Sequence, residues 1–255
     1  MKIVCIKAKH ITMVITMILV LCMLTLGASV TNSVAVFLGK SPRLVPIYSV
    51  KTQEKKVALT FDAAWGSDKT SKIVEILQKE GLKATFFLVG FWVEANPDKV
   101  KEIADADFDV GTHSNTHPKM STLSSTQVTN ELATSCELIT NITKKPIKFF
   151  RPPFGDYNDQ LISIATNMGL KTIQWDVDTL DWKGLSGEQI LTRVKASVKN
   201  GSIILCHNNS DHILEALPLM IKYLKSEGYS IVKLSELVYD SEYIIDNNGT
   251  QIKNN

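Results

Sequence analysis

The chain has 255 residues, 44% hydrophobic and 21% charged. These values lie near globular averages and exclude a largely disordered or fibrous chain; the length accommodates one domain of ~200 residues or more, or two small ones. Lys and Arg outnumber Asp and Glu by 28 to 26, but Lys2, Lys7 and Lys9 precede a hydrophobic stretch, and without them the balance is 25 to 26. Charge therefore gives no support to nucleic-acid binding.

In chain order, the first predicted element is a targeting or anchoring segment. Ile11 to Gly39 carries no Asp, Glu, Lys or Arg, and Ile11 to Leu26 is almost wholly apolar. About 20 apolar residues span a bilayer, and the basic residues before them predict a cytoplasmic amino terminus with the remainder exported. Residues 1–39 are read as a signal-anchor, with a cleaved signal peptide as the alternative. Residues 40–56, with Pro42 and Pro46, predict an extended linker.

From residue 57 strand-like and helix-like runs alternate to about residue 238. The strand patterns are Val57–Asp62, Ala84–Val89, Phe108–Thr112, Lys148–Phe150, Thr172–Trp175, Ser202–Leu205 and Ser230–Lys233. Between them, Ile73, Val74 and Leu77 mark one helical face, and Pro97 suits the first turn of another helix. Val128, Leu132, Cys136 and Ile139 mark a third helix, and Ile213, Leu217, Met220 and Leu224 the last. This alternation predicts seven parallel strands with crossover helices, closed or nearly closed as a barrel. The polar tail 239–255 reads as frayed. Cys136 and Cys206 are far apart and read as two buried thiols rather than a bridge.

Polar residues gather where strand patterns end, on the face where α/β barrels carry their chemistry. Asp62 ends the first strand, and by itself is more often a cap or turn residue than a base. His113 and His117, four apart, reach one divalent ion if the segment makes a helical turn; otherwise they are hydrogen-bonded loop histidines. In Arg151-Pro-Pro-Phe-Gly155 the prolines stiffen a loop that can hold Arg151 towards a carboxylate and aim the Phe154 N–H at an oxyanion, or simply form a rigid turn. Asp178-Thr-Leu-Asp-Trp182 offers a carboxylate to orient a histidine and an aromatic wall for a sugar ring. Leu205-Cys-His207 places an apolar residue beside a possible general acid. Asp68 reads as the cap of a helix starting near Lys69.

Taken in order, these five segments resemble the NodB-homology polysaccharide deacetylases from about Val57 to Leu237. Phe61-Asp-Ala-Ala-Trp-Gly66 behind a hydrophobic leader is similar to a sporulation-associated branch of that family. The resemblance implies a deformed (β/α) barrel that removes N-acetyl groups from amino-sugar polymers of the cell wall. It assigns a divalent metal, usually zinc, to His113 and His117, and the role of base to Asp62 with Arg151 holding it. It gives the general acid to His207 oriented by Asp178, the oxyanion to Phe154, and the sugar and acetyl pocket to Trp182 and Leu205. The family's third metal ligand, an Asp after the base, is here Ala63. Two readings follow: a membrane-anchored deacetylase-like hydrolase facing N-acetylated wall glycan, or a catalytically silent glycan-binding protein.

Overall fold

The computed structural model describes residues 13, 15–22 and 43–254, and divides the chain into a unit ending at Arg43 and one running from Leu44. In the first unit, the described residues 13 and 15–22 are helical and exposed. Among the described residues no helix is long and apolar enough to cross a membrane. Most of the expected membrane segment lies outside the described residues.

The second unit is built on parallel strands. β1 is Ser49–Val50, β2 Lys56–Ala63, β3 Thr85–Leu88, β4 Asp109–Thr112, β5 Phe149–Phe150, β6 Lys171–Thr172, β7 Val177–Asp178, β8 Ile203–His207 and β9 Ser230–Val232. Seven of them run in the order β6-β5-β4-β3-β2-β8-β7, with β9 paired to the start of β2. The two ends of the path, β6 and β7, do not pair with each other, so the barrel is curled but open. The path has the expected seven parallel strands; Val177–Asp178, too short to show a period in the sequence, is one of them and pairs with β8 through Val177–Ile204 and Asp178–Leu205.

Strand alternation explains the layering. Val57, Leu59 and Phe61 of β2 join a buried cluster with Ile73 and Leu77 of the helix Thr70–Lys79 and Leu217 of the helix Ile213–Ser226. Ala58 joins a second cluster inside the curl, with Phe87 and Ile203, and Thr60 and Asp62 follow it on that face. Each large apolar side chain so buried contributes roughly 1.5–3 kcal/mol. The three named helical faces are buried as their spacing implies, except that Cys136 is only part-buried. Cys136 and Cys206 are both free thiols.

The expected linker and frayed tail are instead structured. Two further strands, β10 (Tyr243–Ile245) and β11 (Thr250–Lys253), form a hairpin, and β11 pairs in parallel with β1. The arm also crosses the open side of the curl, bridging Ile47 to Ile173 and Ser49 to Ser202. Gly201 and Gly249, both with φ near +80°, let the backbone approach this arm: a Cβ at Gly201 would strike the Val50 carbonyl, and one at Gly249 the Tyr48 ring. Polar composition concealed this because the strands are fixed by backbone bonds and one buried amide. Gln251 is wholly buried and bonds both the N–H and the carbonyl of Tyr239.

Candidate functional site

The carboxyl ends of β2, β4, β5, β7 and β8 surround a cleft of about 580 Å³. Asp62, His113, His117, Phe154, Asp178, Trp182, Leu205 and His207 all line it, and Arg151 lies beneath, fully buried. Residues up to 145 positions apart are thus brought to one face, as the strand-end pattern predicts.

Register fixes the centre. Asp62 stands opposite His207 across the β2–β8 pairing, and opposite Phe87 across β2–β3. Arg151 follows β5 and donates from Nη1 to Asp62 Oδ1 at 2.8 Å and from Nη2 to the Gln174 carbonyl at 3.1 Å. Its guanidinium lies 4.2 Å from the centre of the Phe87 ring. Burial pushes the Asp62 carboxyl up, but Arg151, His113 and His207 together hold it below its ordinary value. Asp62 is therefore an oriented carboxylate.

The general-acid pair differs from expectation. His207 Nδ1 lies 2.7 Å from Oδ1 of Asp181, whose Oδ2 accepts the His207 backbone N–H at 2.8 Å. Asp178 does not orient His207: its Oδ1 accepts the Leu180 N–H at 2.9 Å, closing a turn that leaves Leu180 left-handed. That turn swings Asp181 inward until it is wholly buried beneath His207. Asp178 ends β7 and Asp181 follows it, and spacing does not say which one the turn brings to His207. Burial lowers the His207 imidazole, yet the hydrogen bond and charge of Asp181 raise it above its ordinary value.

His113 and His117 are brought together, with ring centroids 4.9 Å apart, but on a loop and not a helical turn. Ser114 and His117 are left-handed, and the Ser114 hydroxyl accepts the His117 N–H at 3.0 Å. Glu131, from the helix Ser125–Thr143, clamps the loop by accepting the N–H groups of Asn115 and Thr116, each at 2.8 Å. The sequence reading missed Glu131, since one acid among a helix's polar positions carries no signal. His113 Nδ1 donates to the Arg151 carbonyl at 2.7 Å. Burial lowers both imidazoles, and for His117 burial and the neighbouring His113 bring the value to about 4. Phe154 is left-handed too. Non-glycine residues at positive φ are uncommon, and Ser114, His117, Phe154 and Leu180 all lie in loops that build this cleft.

The rim is aromatic. Trp65, Phe154 and Trp182 are each more than half exposed, and Trp65 and Phe154 set their rings 4.9 and 4.6 Å from His117. Trp65 and Trp175 also line the cleft, and neither had been singled out as a site residue.

A hydrolytic zinc is normally held by three protein ligands. His113 and His117 supply two imidazoles; Ala63, where the family resemblance expects the third ligand, is a fully buried methyl with no donor. Asp68 does not replace it. It is exposed, pairs with Lys69 at 3.5 Å and does not line the cleft; nor does it cap the helix, whose first N–H at Thr70 bonds the Ser67 carbonyl. Among the described residues no group of three His, Cys, Asp or Glu side chains is placed to hold a metal. The residues present do not fit the expected zinc centre.

The polysaccharide deacetylase family profile matches residues 49–173. A peptidoglycan-N-acetylglucosamine deacetylase of Bacillus cereus is 33% identical over 199 residues, covering 76% of this chain and 72% of the relative. The chain belongs to the polysaccharide deacetylase family. Another relative, the uncharacterized protein YlxY of Bacillus subtilis, is 35% identical over 199 residues, covering 78% of this chain; the chain spans 62% of YlxY's length. Among solved structures, a mutant of a carbohydrate esterase family 4 pseudoenzyme, described as having restored enzymatic activity, superposes with a TM-score of 0.74 at 42% identity. It covers 77% of this chain and 71% of its own. This polysaccharide deacetylase domain thus has relatives described as deacetylases and one described as a pseudoenzyme.

Proposed function

We propose that this chain is a glycan-binding polysaccharide deacetylase homologue that engages amino-sugar polymers of the cell wall without efficient hydrolysis. The observation that carries the reading is Ala63, a buried methyl at the position where the family resemblance expects a metal ligand, together with a cleft walled by Trp65, Phe154 and Trp182. Exposed rings around a cleft suit the apolar faces of sugar rings. The peptidoglycan deacetylases among its relatives support N-acetylated peptidoglycan as the polymer. The uncharged apolar stretch behind Lys2, Lys7 and Lys9 supports a placement outside the cytoplasm, anchored or secreted, and the Phe61-Asp-Ala-Ala-Trp-Gly66 motif supports a role in spore formation.

A second reading, a hydrolase of the same polymer, is favoured by the two intact charge pairs. Arg151 holds the Asp62 carboxyl below its ordinary value and aims it into the cleft to accept a proton, and Asp181 raises the His207 imidazole above its ordinary value and orients it to give one. Simple binding does not require both. The deciding experiment follows acetate release and binding on N-acetylated glycan, with zinc or cobalt added and then chelated. Binding without acetate under every condition supports the first reading. Metal-dependent acetate release overturns it in favour of the second.

A further inference from the structure

The carboxylate at the centre of the cleft is only half engaged. Asp62 Oδ1 takes the Arg151 bond, whereas Oδ2 accepts from no described residue; its near neighbour is His113 Nε2 at 3.5 Å. The far side of that ring sets its tautomer. His113 Nδ1 faces the Arg151 carbonyl oxygen at 2.7 Å, and a carbonyl only accepts, so Nδ1 carries the proton and Nε2 presents a lone pair. Two acceptors, one of them negative, face each other with no hydrogen between them.

His117 walls the same corner, flanked by the Trp65 and Phe154 rings. The corner therefore suits a compact cation rich in N–H donors. Zinc needs a coordination number that Ala63 denies it. A primary ammonium has three donors and no such demand, and aromatic rings beside a cation add attraction.

We propose that this corner binds a primary ammonium group, so that the cleft prefers glucosamine units, amino sugars that have already lost their acetyl group, over N-acetylated ones. The inference rests on the glycan-binding reading and names the units it favours. The reaction class that supplies this ligand is amide hydrolysis by another protein acting on the same polymer.

The test compares binding of the full chain to a tetramer of glucosamine and a tetramer of N-acetylglucosamine, by calorimetry in metal-free buffer at a pH where the amine is charged. The expected result is affinity for the glucosamine tetramer at least about tenfold higher, the scale of one charge-assisted hydrogen bond. Asp62→Asn should shrink that ratio to about twofold or less. Because this variant strips a buried arginine of its partner, a wild-type measurement stands beside it: glucosamine should shift the ¹⁵N resonance of His113 Nε2, and N-acetylglucosamine should not. Equal or tighter binding of the acetylated tetramer, or an unmoved Nε2 resonance at saturating glucosamine, overturns the inference alone. Failure of both tetramers to bind overturns the glycan-binding reading with it.

Discussion

Replacing Asp181 by asparagine separates the carboxylate that holds His207 from the one the sequence suggested. Asp181 is fully buried and accepts two N–H groups of His207, the ring Nδ1 at 2.7 Å and the backbone nitrogen at 2.8 Å. An amide offers one acceptor and one donor, so in either orientation one N–H of His207 faces an NH₂ group. A charge-assisted hydrogen bond contributes roughly 1.5–3 kcal/mol and a stranded buried donor costs about 1–3 kcal/mol, so Asp181→Asn should destabilise the domain by about 2–4 kcal/mol. The loss depends on pH. His207 is raised in the folded protein from 6.5, so its ion pair contributes fully below that value and fades as pH rises through the folded pKa. Urea denaturation should therefore show the widest gap between wild type and variant at acidic pH. The gap narrows in alkali, because a neutral His207 ring nitrogen can accept from the amide NH₂ while the amide oxygen keeps the backbone N–H. Asp178→Asn should cost no more than about 1 kcal/mol, the worth of one turn hydrogen bond, with no such pH dependence. By NMR, the His207 midpoint should fall in Asp181→Asn alone. A fall in Asp178→Asn with none in Asp181→Asn would refute the reasoning.

Arg151→Ala leaves Asp62 buried beside an empty space and should cost about 3–5 kcal/mol by urea denaturation; a loss under 1 kcal/mol would mean the pair is not the centre's support. Ala63→Asp should raise zinc affinity at least about tenfold in competition with a chelator, since it restores a carboxylate where the family resemblance expects the third ligand; equal affinities would show that His113 and His117 are not a depleted metal pair. Gln251→Ala strands both backbone groups of Tyr239 and should destabilise by about 1–3 kcal/mol in thermal or urea unfolding; an unchanged midpoint would mean the tail is frayed after all. His207→Ala should abolish whatever acetate release zinc supports, with unchanged circular dichroism, by the ~10²–10⁴-fold typical of a lost general acid; unchanged release would remove His207 from the chemistry.

By itself the sequence determined the alternating α/β plan and the face that carries the chemistry. Both follow from local periodicity: apolar residues two apart build strands such as Val57, Leu59 and Phe61, and polar residues mark where those strands stop. It also marked Asp62, His113, His117, Arg151 and His207, because each sits in a short motif read without its partners. Tertiary structure decided what depends on distant groups meeting. Which of Asp178 and Asp181 reaches His207 is set by a left-handed Leu180 that no residue preference announces. Glu131, 14 residues beyond His117, holds the histidine loop from the helix Ser125–Thr143, so only the packed helix reveals it. The arm and the tail are polar and short of pattern, yet they become strands because each supplies the other's backbone partners across 200 residues. Local pattern encodes what a segment does alone, and pairing across the chain encodes the rest.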